Sequence, residues 1–168
     1  SYLGPSFDNN EIIKSLKTSK LKFRKTKKIH QVIAKHINKN KIIAWFQGSS
    51  EFGPRALGNR SILCKPFPSS MKDHLNKNVK FREPFRPFAP AVLEEFQKDF
   101  FELEQNSPHM LIACKVRKNK KKLIPAVVHV DDTCRVQTVK KNLNKKFYDL
   151  IAEFKRISGI PVLLNTSF

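Results

Sequence analysis

The sequence predicts an α/β or α+β domain built on a mixed sheet, and three observations predict it. Ile42–Phe46 and Pro161–Leu164 are short apolar runs of the kind that form buried strands. Asn144–Ser158 carries Phe147, Leu150, Ile151, Phe154 and Ile157 on one helical stripe, and Gly159 stands at the stop position. Between these, helical and strand-like segments intermix without strict alternation, which fits a mixed sheet better than a purely parallel one.

The 168 residues suit one domain of ordinary size. A hydrophobic fraction of 40% with 14 phenylalanines argues against disorder, although 28% of residues are charged. Cys64, Cys114 and Cys134 are odd in number, far apart and never in a C-x-x-C pair. They give no support to a disulfide framework or a zinc site, and a reducing cytoplasm is the expected compartment. No apolar run approaches the roughly 18 residues of a membrane span, and the first ten residues lack a signal-peptide pattern.

In chain order, Asp8–Asn10 caps a predicted helix carrying Ile12, Ile13 and Leu16. Ile29, Val32, Ile33 and Ile37 recur at helical spacing and predict a second helix ending near Asn38–Asn40. Residues 1–40 are thus expected to be a helical lead-in belonging to the same domain as 41–168, a domain expected to continue past Phe168. Ile42–Phe46 reads as a strand buried on both faces, and Ser61–Cys64 as a short strand. Ser70 is expected to cap a helix from Met71 to about Asn78, with Met71 and Leu75 inward. Residues 79–90, VKFREPFRPFAP, contain Pro84, Pro87 and Pro90, which exclude a helix and disfavour a central strand. A pinned irregular segment is expected there, with its phenylalanines tucked in. Val92–Glu102 reads as a helix, and His109–Val116, Ala126–Val130 and Arg135–Val139 as strands, the last half-exposed.

The net charge of +19, from 33 lysines and arginines against 14 acids, predicts anionic partners. Many lysines lie in runs with asparagine that read as solvated faces. The arginines are more informative, because several stand among glycines, prolines and aromatics. Arg55, Asn59, Arg60 and Ser61 lie in a loop with Gly48, Gly53 and Gly58 directly after an apolar strand; such backbone bends closely around a ligand, and guanidinium forks suit phosphate oxygens. The competing reading is a surface turn whose arginines pair with Glu51. Lys80, Arg82 and Arg86, Arg135, and Asn165 with Ser167 also lie at strand ends, where α/β sheets bind ligands. For Arg82 and Arg86 the alternative is pairing with Glu83 and stacking on phenylalanine; for Arg135 it is an exposed cross-strand charge. No nucleophile elbow or P-loop is present; the histidines show no H-x-x-x-H, and only His129, near Asp131, has a carboxylate at ligand spacing and reads as a core or surface residue, so no protein-bound metal is expected.

Four stretches in order, EFGPRALGNRSIL (51–63), VKFREPFRPFAP (79–90), HVDDTCRVQTV (129–139) and GIPVLLNTSF (159–168), resemble the C-terminal domain of the bacterial NodU/CmcH-type O-carbamoyltransferases. MKDHLN (71–76) and SPHM (107–110) fit as well, so the resemblance runs from about Lys41 to Phe168. It implies a YrdC-like domain, with a twisted parallel/antiparallel sheet flanked by helices. It further implies that this domain combines ATP, with Mg²⁺ on the phosphates, and carbamoyl phosphate into carbamoyl adenylate. A separate N-terminal domain, holding the iron expected of the family, then moves the carbamoyl group to a hydroxyl acceptor. Carried over by motif, Lys80, Arg82 and Arg86 would be catalytic. Arg55, Asn59, Arg60, Ser61, Arg135, Asn165 and Ser167 would bind ATP and carbamoyl phosphate.

No such N-terminal domain lies in these 168 residues, so the chain is expected to be a segment of a longer protein. The alternative function is an RNA-binding module using the basic surface. Against it, no RNP, zinc-finger or helix-turn-helix signature appears and the lysines scatter.

Overall fold

A computed structural model describes residues 1–168. The strands are β1 (Ile43–Phe46), β2 (Arg60–Cys64), β3 (Ala89–Leu93), β4 (Ala113–Lys115), β5 (Thr133–Arg135), β6 (Gln137–Val139) and β7 (Val162–Thr166). The helices are α1 (Asn9–Thr18), α2 (Ile29–Asn38), α3 (Ser70–Leu75), α4 (Gln97–Phe100) and α5 (Lys145–Ser158). Five strands form a mixed sheet in the order β1-β2-β7-β3-β6, in which only β3 and β6 run parallel. β4 and β5 form a separate antiparallel ribbon. No helix is long and apolar enough to cross a membrane.

The two-residue period of the central strands divides the core into two layers. Ile62, Cys64, Val92, Val162 and Leu164 face one way, onto Met71, Leu75, Phe88, Phe101 and the β4–β5 ribbon. Leu63, Ala91, Leu93 and Leu163 face the other way, onto α2 and α5. The α5 stripe of Phe147, Leu150, Ile151 and Phe154 is fully buried there, each side chain contributing about 1.5–3 kcal/mol. Asn144 caps α5 by accepting the Phe147 N–H (3.2 Å), and Gly159 ends it at φ 77°. α1 opens on a capping box between Asp8 and Glu11, yet none of its residues is buried.

The structure corrects several local expectations. β1 is not buried on both faces: it is an edge strand, only Trp45 is buried, and Phe46 lies beneath the Arg60 guanidinium at 3.6 Å. Pro90 does sit in an interior strand, because pairing with β6 begins only at Ala91 and Pro90 has a single neighbour, β7. The segment after it is strand to Leu93, then a 3-10 turn at Glu94–Phe96 and the single-turn helix α4, not one helix from Val92. α3 starts at Ser70 with no side-chain cap and gives way at Asn76 to a π-turn ending in the left-handed Phe81. That reversal leaves Phe81 and Phe85 exposed, and only Phe88 of the three phenylalanines is buried. Ala126–Val130 begins as a 3-10 turn, with the Ala126 N–H donated to the Pro66 carbonyl (2.9 Å). His109–Val116 contributes only three strand residues. Arg135–Val139 breaks at Val136, one half joining the ribbon and the other the fully buried β6.

The loop between β1 and β2 is held by buried and half-buried polar groups. One Glu51 oxygen accepts the backbone N–H groups of Leu57 (2.7 Å), Asn59 (2.8 Å) and Arg60 (3.2 Å). Asn59, Gln47 and Asn144 form a ring of side-chain bonds that Tyr2 joins through Asn144. Gly58, at φ +101°, is pressed against Phe147; a Cβ there would lie 2.2 Å from the ring.

Gly58→Ala is therefore expected to lower the unfolding free energy by about 2–4 kcal/mol, from backbone strain and overpacking together. Chemical denaturation measures this, and an unchanged midpoint would contradict the close approach. Glu51→Ala is expected to cost about 2–4 kcal/mol through three lost charge-assisted bonds, and Glu51→Gln less; equal losses for the two would show that the charge is unimportant.

Candidate anion-binding site

The strand ends converge on one cavity of about 110 Å³. Arg55 reaches it from the β1–β2 loop, Arg82 from the proline-pinned run into β3, Arg135 from the end of β5, and Asn165 and Ser167 from the end of β7. Four stretches distant in sequence thus supply one pocket. It has room for a small anion of the size of a phosphate or an acyl phosphate, well short of the ~300–1,000 Å³ of sites that enclose a drug-sized ligand. Arg82 also lines a second, open groove of about 670 Å³ with Asp73, Lys77, Phe81 and Pro84.

None of the three arginines on the cavity belongs to an ion pair, since the six in the molecule all use other cations. Arg82 is fixed by its Nε donating to Asn76 Oδ1 (2.7 Å), with its guanidinium 4.6 Å from the Phe88 ring centroid. The Nε groups of Arg55 and Arg135 are buried and have no partner. Buried donors left open in this way call for an acceptor from outside the chain. Burial, and then the charge of Arg55, hold the Arg135 guanidinium below its ordinary range. Burial and Arg86 do the same to Arg82, and burial and Arg82 to the Lys80 amine. In all three burial is the larger cause and a neighbouring cation the next, and for Arg82 the charge of Glu83 opposes them in part.

Asn165 is buried, and its Nδ2 donates to the carbonyl of Ala56 (3.0 Å) and to Gln137 Oε1 (2.9 Å). Its Oδ1 is buried without a partner. Lys80 stands behind the rim, its Nζ donating to the Ser167 carbonyl (2.6 Å).

The other residues carried over by motif are placed differently. Asn59 bonds Gln47, Asn144 and the Ser49 carbonyl. Arg60 donates to the carbonyls of Gln47, Asn59, Pro5 and Gly48. Ser61, fully buried, accepts the Gly58 N–H at 3.0 Å. All three hold the loop in shape, away from the cavity. Arg86 is half-exposed and pairs with Glu83 at 2.8 Å. The loop arginines do not pair with Glu51, whose oxygen faces the backbone.

Two supporting residues escaped the sequence reading. Asn76 donates to the carbonyls of Pro84 (3.3 Å) and Arg86 (3.0 Å) while accepting from Arg82, so one side chain pins the whole proline segment. Gln137 holds Asn165 and donates to the Leu57 carbonyl (2.9 Å). Only the polar type of Gln137 inside an apolar strand hinted at a role.

The family model described as Carbamoyltransferase C-terminus matches residues 34–168. Nodulation protein NolNO of Sinorhizobium fredii is 53% identical over 130 residues, covering 76% of this chain and 19% of the relative. Nodulation protein NolO of Bradyrhizobium diazoefficiens is 42% identical over 173 residues, covering 99% of this chain and 32% of the relative. Nodulation protein U of Sinorhizobium fredii is 42% identical over 135 residues, covering 80% and 24%. The chain spans about a fifth to a third of the length of these relatives. With the match extending from α2 to Phe168, the chain belongs to the carbamoyltransferase C-terminal family.

Proposed function

We propose that this chain is the part of a carbamoyltransferase that binds ATP and carbamoyl phosphate and joins them as carbamoyl adenylate. An N-terminal part of the same protein would then pass the carbamoyl group to a hydroxyl acceptor. The observation that carries the reading is the convergence of Arg55, Arg82 and Arg135 on one small cavity without a carboxylate.

In the proposed reaction, water releases phosphate from carbamoyl phosphate and leaves carbamate. A carbamate oxygen then attacks the α-phosphorus of ATP. The new O–P bond forms as the bond to the bridging oxygen breaks, and pyrophosphate leaves with the electron pair. The attacking oxygen is already anionic, so the second step needs no base, and the absence of a histidine or carboxylate on the cavity is no obstacle. What the step needs is two anions held together and charge balanced as pyrophosphate departs. Arg55 and Arg135 hold open donors for that, while Asn76 and Phe88 keep Arg82 from folding away. The cavity suits a small anion such as carbamoyl phosphate, and the open groove that shares Arg82 with it gives a nucleotide somewhere to lie. Mg²⁺ would arrive on the phosphate oxygens.

Calorimetric titration of the chain with ATP and Mg²⁺, with and without carbamoyl phosphate, is expected to give saturable one-to-one binding. In an Arg82→Ala/Arg135→Ala double variant the affinity should fall about 100-fold or more. Pyrophosphate release on adding both substrates would follow. Weak ATP binding alongside tight, steeply salt-dependent RNA binding would overturn the reading in favour of the basic surface.

The lowered Lys80 amine gives a pH dependence. An anion near it restores the charged form, so binding takes up a proton wherever free Lys80 has begun to titrate. Affinity for carbamoyl phosphate is therefore expected to fall as pH rises from neutral through the alkaline titration of Lys80, and a Lys80→Met variant should flatten that fall. A flat wild-type profile would exclude Lys80 from the electrostatics of the site.

A further inference from the structure

Among the residues lining the cavity, one buried acceptor is left unpaired. Asn165 Oδ1 is an acceptor set among guanidinium donors, buried and without a partner. Its identity as oxygen is fixed by two backbone carbonyls. The Leu57 carbonyl can only accept, so the Gln137 group facing it is Nε2, which leaves Oε1 toward Asn165. The Ala56 carbonyl likewise demands the Asn165 NH₂. Both hydrogens of that NH₂ are then engaged, and flipping the amide would set oxygen against two oxygens. Oδ1 is the atom left over.

An anionic oxygen cannot satisfy this acceptor, because lone pairs would meet lone pairs. The complement of the cavity is an anion bearing a hydrogen-bond donor on an adjacent atom, within about 110 Å³. Resting on the function proposed above, we infer that Asn165 Oδ1 accepts a hydrogen bond from the carbamoyl NH₂, and that Asn165 is the residue selecting carbamoyl phosphate over other acyl phosphates. Gln137 is the positioning residue: it does not line the cavity but holds the amide in its reading orientation. Acetyl phosphate is the critical competitor. It shares the phosphate, the carbonyl and the overall size, and carries a methyl group where carbamoyl phosphate has its amine. With acetyl phosphate bound, Oδ1 stays buried and unpaired, which is how a polar site rejects an apolar isostere.

The test is calorimetric titration of the 168-residue chain with carbamoyl phosphate and with acetyl phosphate in the same buffer. The wild type is expected to bind carbamoyl phosphate at least about tenfold more tightly. In Asn165→Ala, with thermal melting as the control for folding, the ratio is expected to drop to within about threefold. Gln137→Met should reduce the ratio by loosening the amide without removing it, and serves if the alanine variant does not fold. Equal wild-type affinities for the two acyl phosphates overturn the inference and leave the anion site standing. Binding of neither overturns the proposed function as well.

Discussion

The Glu51 carboxylate, taking three backbone N–H groups through one oxygen, decides how the β1–β2 loop presents its arginines. A carboxylate beside Arg55 and Arg60 would ordinarily neutralise one of them. Here it is turned toward the peptide backbone, and the stronger geometric demand wins: three amides point at one spot, while an arginine fork can be satisfied elsewhere. Arg60 is indeed satisfied elsewhere, by four carbonyls. Arg55 keeps its charge open to the cavity. A basic chain with few acids makes such an arrangement easier, but it is the placement of this one acid that leaves the guanidinium free.

The sheet then brings the remaining cations to the same place. β7 lies at its centre, so Asn165 and Ser167 at its end are surrounded by β2, β3 and the loops that feed them. The break at Val136 is what separates Arg135, on the ribbon, from Gln137, on the main sheet. One regular strand through this stretch would have put alternate residues on alternate faces and kept both in a single plane. Split between two sheets, Arg135 lines the cavity while Gln137 reaches Asn165 from behind it. Asn76 does for Arg82 what Gln137 does for Asn165, and both are uncharged amides that donate and accept at once.

The polar residues around the pocket therefore divide by what already bonds them. Asn59, Arg60 and Ser61 sit in the most conspicuous loop of the sequence, yet their polar groups are engaged within the fold. Arg55, Arg135 and the Asn165 oxygen look no different in the sequence and retain unpartnered atoms. That difference separates a scaffold from a site, and it exists only once the chain has closed over 100 residues of separation, as Asn165 does on Ala56.

By itself, the sequence determined the mixed α/β class, helices α1, α2 and α5, and strands β2 and β7 at their cores. Periodicity and caps are local, and the physics that forms these elements is local too. It also supplied the roster of arginines from which the site is drawn. Only the tertiary structure decided that β1 is an edge strand, that Pro90 is tolerated where pairing with β6 has not yet begun, and that Phe81 and Phe85 stay outside. The same holds for which arginines remain unpaired, because burial, pairing and charge depend on neighbours that the chain brings together from far apart.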